Sequence, residues 1–121
     1  DGGVYKGRAD AYAIYGDLPS AIADYSYAIN LDNSYSEAYA SRGRAFYEAG
    51  NPESAYEDFS YIITQDSAAA SADIYFYRGL ALIAMGDGVA AQSDLQAAAE
   101  RYLADGEANG YRAVLESMSQ L

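Results

Sequence analysis

Apolar positions recur along this chain with the period of an α-helix, in blocks separated by turn residues. Tyr5, Ala9, Tyr12 and Ala13 stand at i, i+4, i+7 and i+8, which places them on one helical stripe. Tyr39, Gly43, Phe46 and Tyr47 repeat the spacing, as do Tyr75, Gly79, Leu82 and Ile83. Each block runs into a turn: Gly16-Asp17-Leu18-Pro19, Gly50-Asn51-Pro52 and Gly86-Asp87-Gly88. Glycine ends a helix by taking the left-handed conformation at little cost, and the Asp or Asn after it caps the next one. Pro19 and Pro52 then fit a first helical turn, where no backbone N–H is needed. Second helices are predicted over Ala21–Ile29, Ala55–Ile63 and Ala91–Ala99, each with an aromatic residue or leucine directly after its aspartate. A last block, Tyr111, Val114, Leu115 and Met118, predicts a seventh helix with one apolar face.

The blocks repeat as whole units. Arg8 and Asp24, Arg42 and Asp58, Arg78 and Asp94 are each 16 residues apart. Gly16 and Ala21, Gly50 and Ala55, Gly86 and Ala91 lie between them at matching offsets. The step is 34 residues from the first unit to the second and 36 from the second to the third. Such a period means stacked helix pairs rather than one closed core. The two added residues must fall between Asp58 and Arg78, and Ser67–Ala72 is the expected place. They make either a longer loop or an extra helical turn, and the alanines favour the turn. The last block lacks the Arg-Gly pair, so it is expected to cap the stack rather than begin a fourth unit. The expected organisation is one domain over residues 1–121, with repeats at 4–37, 38–71 and 74–105 and a capping helix at 106–121.

Helix–turn–helix units of this length resemble the tetratricopeptide repeat (TPR) family over about residues 4 to 103. Tyr39, Gly43, Phe46, Gly50, Ala55 and Phe59 fall on the family's aromatic, glycine, aromatic, glycine, alanine and aromatic positions. Unit three matches with Tyr75, Gly79, Leu82, Gly86, Ala91 and Leu95. Unit one matches with Tyr5, Tyr12, Gly16, Ala21 and Tyr25, and Ala9 takes the first glycine's place. The proline that often closes a unit is replaced by Asn33, Ser67 and Leu103. The resemblance implies an all-α, right-handed superhelix whose first helices line a concave groove for a peptide or a partner's helix. No cofactor is expected.

Composition narrows the partners. The 121 residues are 51% apolar, enough for a folded domain, and three units are about the minimum that share a core. A net charge of −11, with Lys6 the only lysine, repels phosphate backbones and anionic lipid. Nucleic acid and membrane surfaces are therefore disfavoured, and a basic partner is easier. No run approaches the roughly 20 apolar residues of a membrane span. The absence of cysteine excludes thiolate chemistry and suits an exported protein as well as a cytosolic one. The opening Asp1-Gly2-Gly3, without a Met, is expected of a piece trimmed from a longer polypeptide.

Candidate chemistry is sparse. The strict spacing of the Arg–Asp pairs points to a structural clasp between the two helices of each unit, because enclosed charges persist when paired. Lys6, Arg44, Arg101 and Arg112 remain as free positive charge. Most of the 14 tyrosines fall on packing positions, while Tyr47 and Tyr77 project beside the core stripe. Asp32, Ser34 and Ser36 alternate as at the start of a calcium loop, but its glycine and closing glutamate are missing. Without His or Cys there is no ordinary zinc ligand set. Asp87 in the middle of Gly86-Asp87-Gly88 would repel a phosphate. Adjacent carboxylates such as Glu57 and Asp58 point about 100° apart on a helix, a poor arrangement for an acid–base pair. Enzyme activity is not expected.

Two functional readings follow. In the first, the chain is a protein-interaction module whose groove is faced by Lys6, Asp10, Glu37, Ala40, Arg44, Tyr47, Glu48, Asp73, Phe76, Leu80 and Ile83. Phe76, Leu80 and Ile83 would form an apolar anchor pocket, unless the C-terminal helix or a neighbouring molecule covers them. Arg44 either receives a ligand carboxylate or pairs with Glu48 one turn on. The lysine-rich carboxylate clamp of chaperone-binding relatives is not reproduced, since acidic Asp10 follows Lys6 by one turn. In the second reading, the chain is a scaffold segment of a larger, exported bacterial protein that associates with copies of itself and binds no peptide.

Overall fold

The computed structural model describes residues 1–65, 67 and 70–121. Among the described residues the chain is all helical: α1 (Gly2–Ile14), α2 (Leu18–Leu31), α3 (Ser36–Glu48), α4 (Pro52–Gln65), α5 (Ala72–Ala84), α6 (Gly88–Ala104) and α7 (Ala108–Ser119). Each helix packs on its chain neighbours, and α3 also touches α1 and α5, so the helices stack in sequence order.

The turns inside the pairs are built alike. Gly16, Gly50 and Gly86 all have φ of +84°, a left-handed value that side-chain-bearing residues resist. The N–H of the next residue then reaches back to the helix it has left: Asp17 to Tyr12, Asn51 to Phe46 and Asp87 to Leu82, each at 2.9 Å. The same side chains open the following helices. Asp17 accepts from the Ser20 N–H at 3.2 Å, Asn51 from Ser54 at 3.3 Å and Asp87 from Ala90 at 3.1 Å. Gly106, with φ of +73°, makes a fourth such turn between α6 and α7.

Helices α2 and α4 are both 14 residues long. The linker after α4 is longer than the one after α2, spanning 66–71 against 32–35. The stretch expected to hold the two extra residues, Ser67–Ala72, falls in this interval, and Asp66, Ala68 and Ala69 lie outside the described residues.

Glycine sets how closely the paired helices approach. A Cβ on Gly43 would lie 2.8 Å from the Phe59 ring, and one on Gly79 would lie 3.0 Å from Leu95. Phe59 and Leu95 are fully buried on those glycines. Beside each contact sits the preceding residue of each helix, which is the arginine on one side and the aspartate on the other. Arg8 donates from Nε and Nη2 to Asp24 at 2.6 and 2.9 Å. Arg42 does the same to Asp58 at 2.9 and 2.7 Å, and Arg78 to Asp94 at 2.7 and 2.7 Å. The third aspect of the guanidinium is also used in the inner units. Arg42 Nη1 donates to the Ser26 hydroxyl of α2 at 3.1 Å, and Arg78 Nη1 to the Ser60 hydroxyl of α4 at 3.3 Å. All three aspartates are buried. Hydrogen bonds from Arg8 hold the Asp24 carboxyl below the usual carboxylate range, whereas burial pushes the Asp58 carboxyl up against the pull of Arg42.

At the C-terminal end Val114 of α7 is fully buried in a cluster with Tyr75, Leu95, Ala98 and Tyr102, and Tyr111 and Met118 pack against it.

Two consequences are testable. Arg42→Ala leaves Asp58 enclosed without its partner and is expected to lower stability by about 2–4 kcal/mol; an unchanged melting temperature would refute the structural role. Truncation after Ala104 strips the cover from Tyr75 and Tyr102. It is expected to cause aggregation or a broadened urea transition, and a monomeric product with the same midpoint would show that α7 is dispensable.

Candidate functional site

Helices α1, α3 and α5 present a shared face with two clefts. The first, about 420 Å³, lies between α1 and α3 and is lined by Asp10, Ala13, Ile14, Tyr25, Ser41, Arg44, Ala45 and Glu48. The second, about 330 Å³, lies between α3, α5 and the end of the chain, with Tyr47, Leu80, Ile83 and Ala84 facing Ser117, Gln120 and Leu121.

The acidic cleft is internally braced. Lys6 Nζ stands 2.9 Å from Asp10 Oδ2, one turn along α1. The other oxygen of Asp10 accepts from the Tyr25 hydroxyl at 2.5 Å. The hydrogen bond from Lys6 to Asp10 raises the Lys6 pKa, while burial, with Asp10 second, pushes the Tyr25 hydroxyl far up. Lys6 is therefore a paired cation. A parallel brace joins α6 to α5, where the Tyr102 hydroxyl donates to Asp73. Burial and Asp73 push Tyr102 up in the same way. Spacing singles out neither tyrosine, because the partner carboxylates lie 15 and 29 residues away.

Arg44 is exposed and makes no ion pair among the described residues. Its guanidinium lies 4.9 Å from the centre of the Tyr77 ring, a cation–π contact, rather than on Glu48. Tyr77 is itself half-buried, stacked on Phe59 at 6.0 Å and met edge-on by Tyr47 at 6.2 Å. Phe76 adjoins Tyr77 at 6.1 Å and turns its edge to Tyr102 at 6.3 Å. Tyr47 and Tyr77 thus belong to an aromatic tier running from α3 through α5 to α6. Of the other positive charges, Arg101 lies 4.3 Å over the Tyr75 ring.

The remaining groove candidates divide. Ala40 is half-buried against the cluster around Phe59, and Glu37 and Glu48 are exposed. Phe76 and Ile83 pack against the same cluster as Tyr111 and Met118 of α7, leaving Leu80 and part of Ile83 to line the second cleft. The last helix therefore covers one side of the apolar trio and leaves the other facing the cleft.

Asp32 is occupied locally: its Oδ1 accepts from the Ser34 N–H at 3.0 Å and the Ser34 hydroxyl at 2.6 Å, which orders the α2–α3 linker. Among the described residues no group of three metal-ligating side chains comes together, and no helix is long and apolar enough to cross a membrane.

Comparisons with known proteins bear on the fold. A family model described as TPR repeat matches residues 9–50. No curated protein matches the sequence. The Sgt2 TPR domain from Aspergillus fumigatus superimposes with a TM-score of 0.85 at 20% identity, over 98% of this chain and 77% of that one. The first TPR of Spaghetti (RPAP3), bound to the HSP90 peptide SRMEEVD, gives 0.81 at 20% identity, over 98% and 93%. The second TPR domain of human RPAP3, in complex with the HSP70 peptide SGPTIEEVD, gives 0.80 at 21% identity, over 95% and 92%. At these identities the solved structures speak for the fold alone. The repeat match runs from within α1 to the turn after α3, and the same turn and clasp recur through α6; the chain is similar to TPR repeats over residues 9–50 and has the fold of TPR domains.

Proposed function

We propose that the chain is a protein-interaction module that takes a peptide or a partner segment along the α1–α3–α5 face. The observation that carries this reading is Arg44. It is the one arginine of that face, it is exposed, it rests on an aromatic ring instead of a carboxylate, and it separates an acidic cleft from an apolar one. A guanidinium held this way keeps its N–H donors available for a ligand. Two structural relatives hold chaperone peptides, one from HSP90 and one from HSP70, which supports the use of this fold for peptide capture.

The chemistry of this face favours a different peptide. Lys6 is held by Asp10, so it offers no free cation for a peptide carboxylate. Asp10, Glu48 and the overall charge of −11 repel a strongly acidic segment. The fitting ligand presents one carboxylate, from a side chain or a chain end, to Arg44. Its apolar side chain packs on Tyr47, Leu80 and the exposed part of Phe76, and the rest is neutral or basic.

A peptide-array screen repeated with Arg44→Glu and with Leu80→Asp tests this. Each change is expected to remove the main hits while leaving the helical melting curve in place, because both residues reach the cleft. If neither change alters any hit, the α1–α3–α5 face is not the binding site.

A further inference from the structure

Three residues of the α1–α3–α5 face depart from the repeat. The positions equivalent to Arg44 in the first and third units hold Asp10 and Leu80, and those equivalent to Glu48 hold Ile14 and Ala84. The positions equivalent to Tyr77 in the first and second units hold Gly7 and Ser41. The repeat itself therefore requires none of the three. They nevertheless come together: Arg44 and Glu48 line the same cleft, and the Arg44 guanidinium lies 4.9 Å from the centre of the Tyr77 ring.

Two seats are within reach of this guanidinium. Glu48 stands one turn on along α3, exposed and in no ion pair among the described residues. A guanidinium resting there would be neutralised before a ligand arrived. Arginine ahead of glutamate is the weaker order for such a pair, and at an exposed site water and salt weaken it further. Tyr77 is the other seat. Its ring is held on both sides, stacked on Phe59 at 6.0 Å and met edge-on by Tyr47 at 6.2 Å. A ring face attracts the cation without supplying a carboxylate, so the charge stays uncompensated. Burial raises the Tyr25 and Tyr102 hydroxyls, and the Arg44 charge opposes it at both, which puts the guanidinium between the acidic cleft and the α5–α6 brace.

We propose that Tyr77 is the positioning residue that keeps Arg44 off Glu48 and open to a ligand carboxylate. This rests on the reading of Arg44 as the receptor of that carboxylate. Tyr77 belongs to the third unit and Arg44 to the second, so the carboxylate site is complete only when the two units are packed on each other. Without the ring, Arg44 falls back on Glu48, and a ligand must displace that pair.

The probe is N-acetylleucine, which has one carboxylate and one apolar side chain, and its uncharged amide is the control. Each is titrated into the full isotope-labelled chain at low salt, and NMR follows the Arg44 Nε–H. N-acetylleucine is expected to shift this signal and the amide to leave it in place. Tyr77→Leu is expected to weaken probe binding about threefold, and Tyr77→Phe, which keeps the ring, to rescue it. Glu48→Gln then separates positioning from packing. It removes a negative charge near the site, so it strengthens binding in either chain. The gain is expected to be about twofold larger in the Tyr77→Leu chain, where Glu48 also competes for Arg44. Equal gains in both chains, or full binding by Tyr77→Leu, would overturn the proposal. A second measurement serves where Tyr77→Leu fails to fold. In the unaltered chain the Arg44 δ protons should carry the upfield shift of a ring current, and Glu48→Gln should leave it in place. Arg44 δ protons without that shift, or moved by Glu48→Gln, would overturn the proposal. No response of Arg44 to N-acetylleucine in the unaltered chain would overturn the carboxylate reading and the proposal with it, whereas equal gains would overturn the proposal alone.

Discussion

In the inner units one guanidinium joins three helices. Arg42 of α3 spends two N–H groups on Asp58 of α4 and a third on Ser26 of α2, and Arg78 repeats this with Asp94 and Ser60. The planar fork of arginine serves both directions at once, which a lysine ammonium would not reproduce in a fixed geometry. Enclosing Asp58 without this partner would be costly, so the helix pair and its neighbour are stabilised together. The adjacent glycine makes the reach possible. Gly43 and Gly79 let the first helix settle on Phe59 and Leu95, and that closeness carries the arginine onto the aspartate one residue before each.

The same constraint decides which charges can serve a ligand. Three of the six arginines are committed to clasps, Lys6 is held by Asp10, and Arg101 lies on Tyr75. Arg44 points away from the clasp line, although it is only two residues from Arg42. That offset turns it about 200° around the helix, onto the face opposite the clasp. Its position there rests on Tyr77, which the Phe59 packing holds in place, so the geometry of the candidate site descends from the same helix contact.

Much of this architecture is legible in the sequence because it is written at a fixed period. The 16-residue Arg–Asp spacing, the glycine turns with their capping Asp or Asn, and the small residues at the helix contact all recur in register. The bridging serines were readable by the same means, since Ser26 and Ser60 follow Asp24 and Asp58 by two residues and are themselves 34 apart. Other contacts leave no periodic trace. The Tyr25–Asp10 and Tyr102–Asp73 braces, and the seat of Arg44 on Tyr77, depend on how side chains of different helices meet at one crossing. An arginine with a glutamate four residues on reads as a surface pair, and only the packing shows that the ring wins. The extra-turn reading of the alanine-rich stretch followed helix propensity. That stretch includes Ala68 and Ala69, which lie outside the described residues.

The central claim is that a single guanidinium couples neighbouring units, and a double-mutant cycle tests it most directly. Ser26→Ala and Asp58→Asn remove acceptors in different units that share only Arg42. Stability of the two single variants and of the double variant should be measured by urea unfolding. The account predicts a coupling of about 0.5–3 kcal/mol, because losing one acceptor frees Arg42 to leave the other. Effects that add within about 0.3–0.5 kcal/mol would contradict it and would make each clasp a property of its own helix pair.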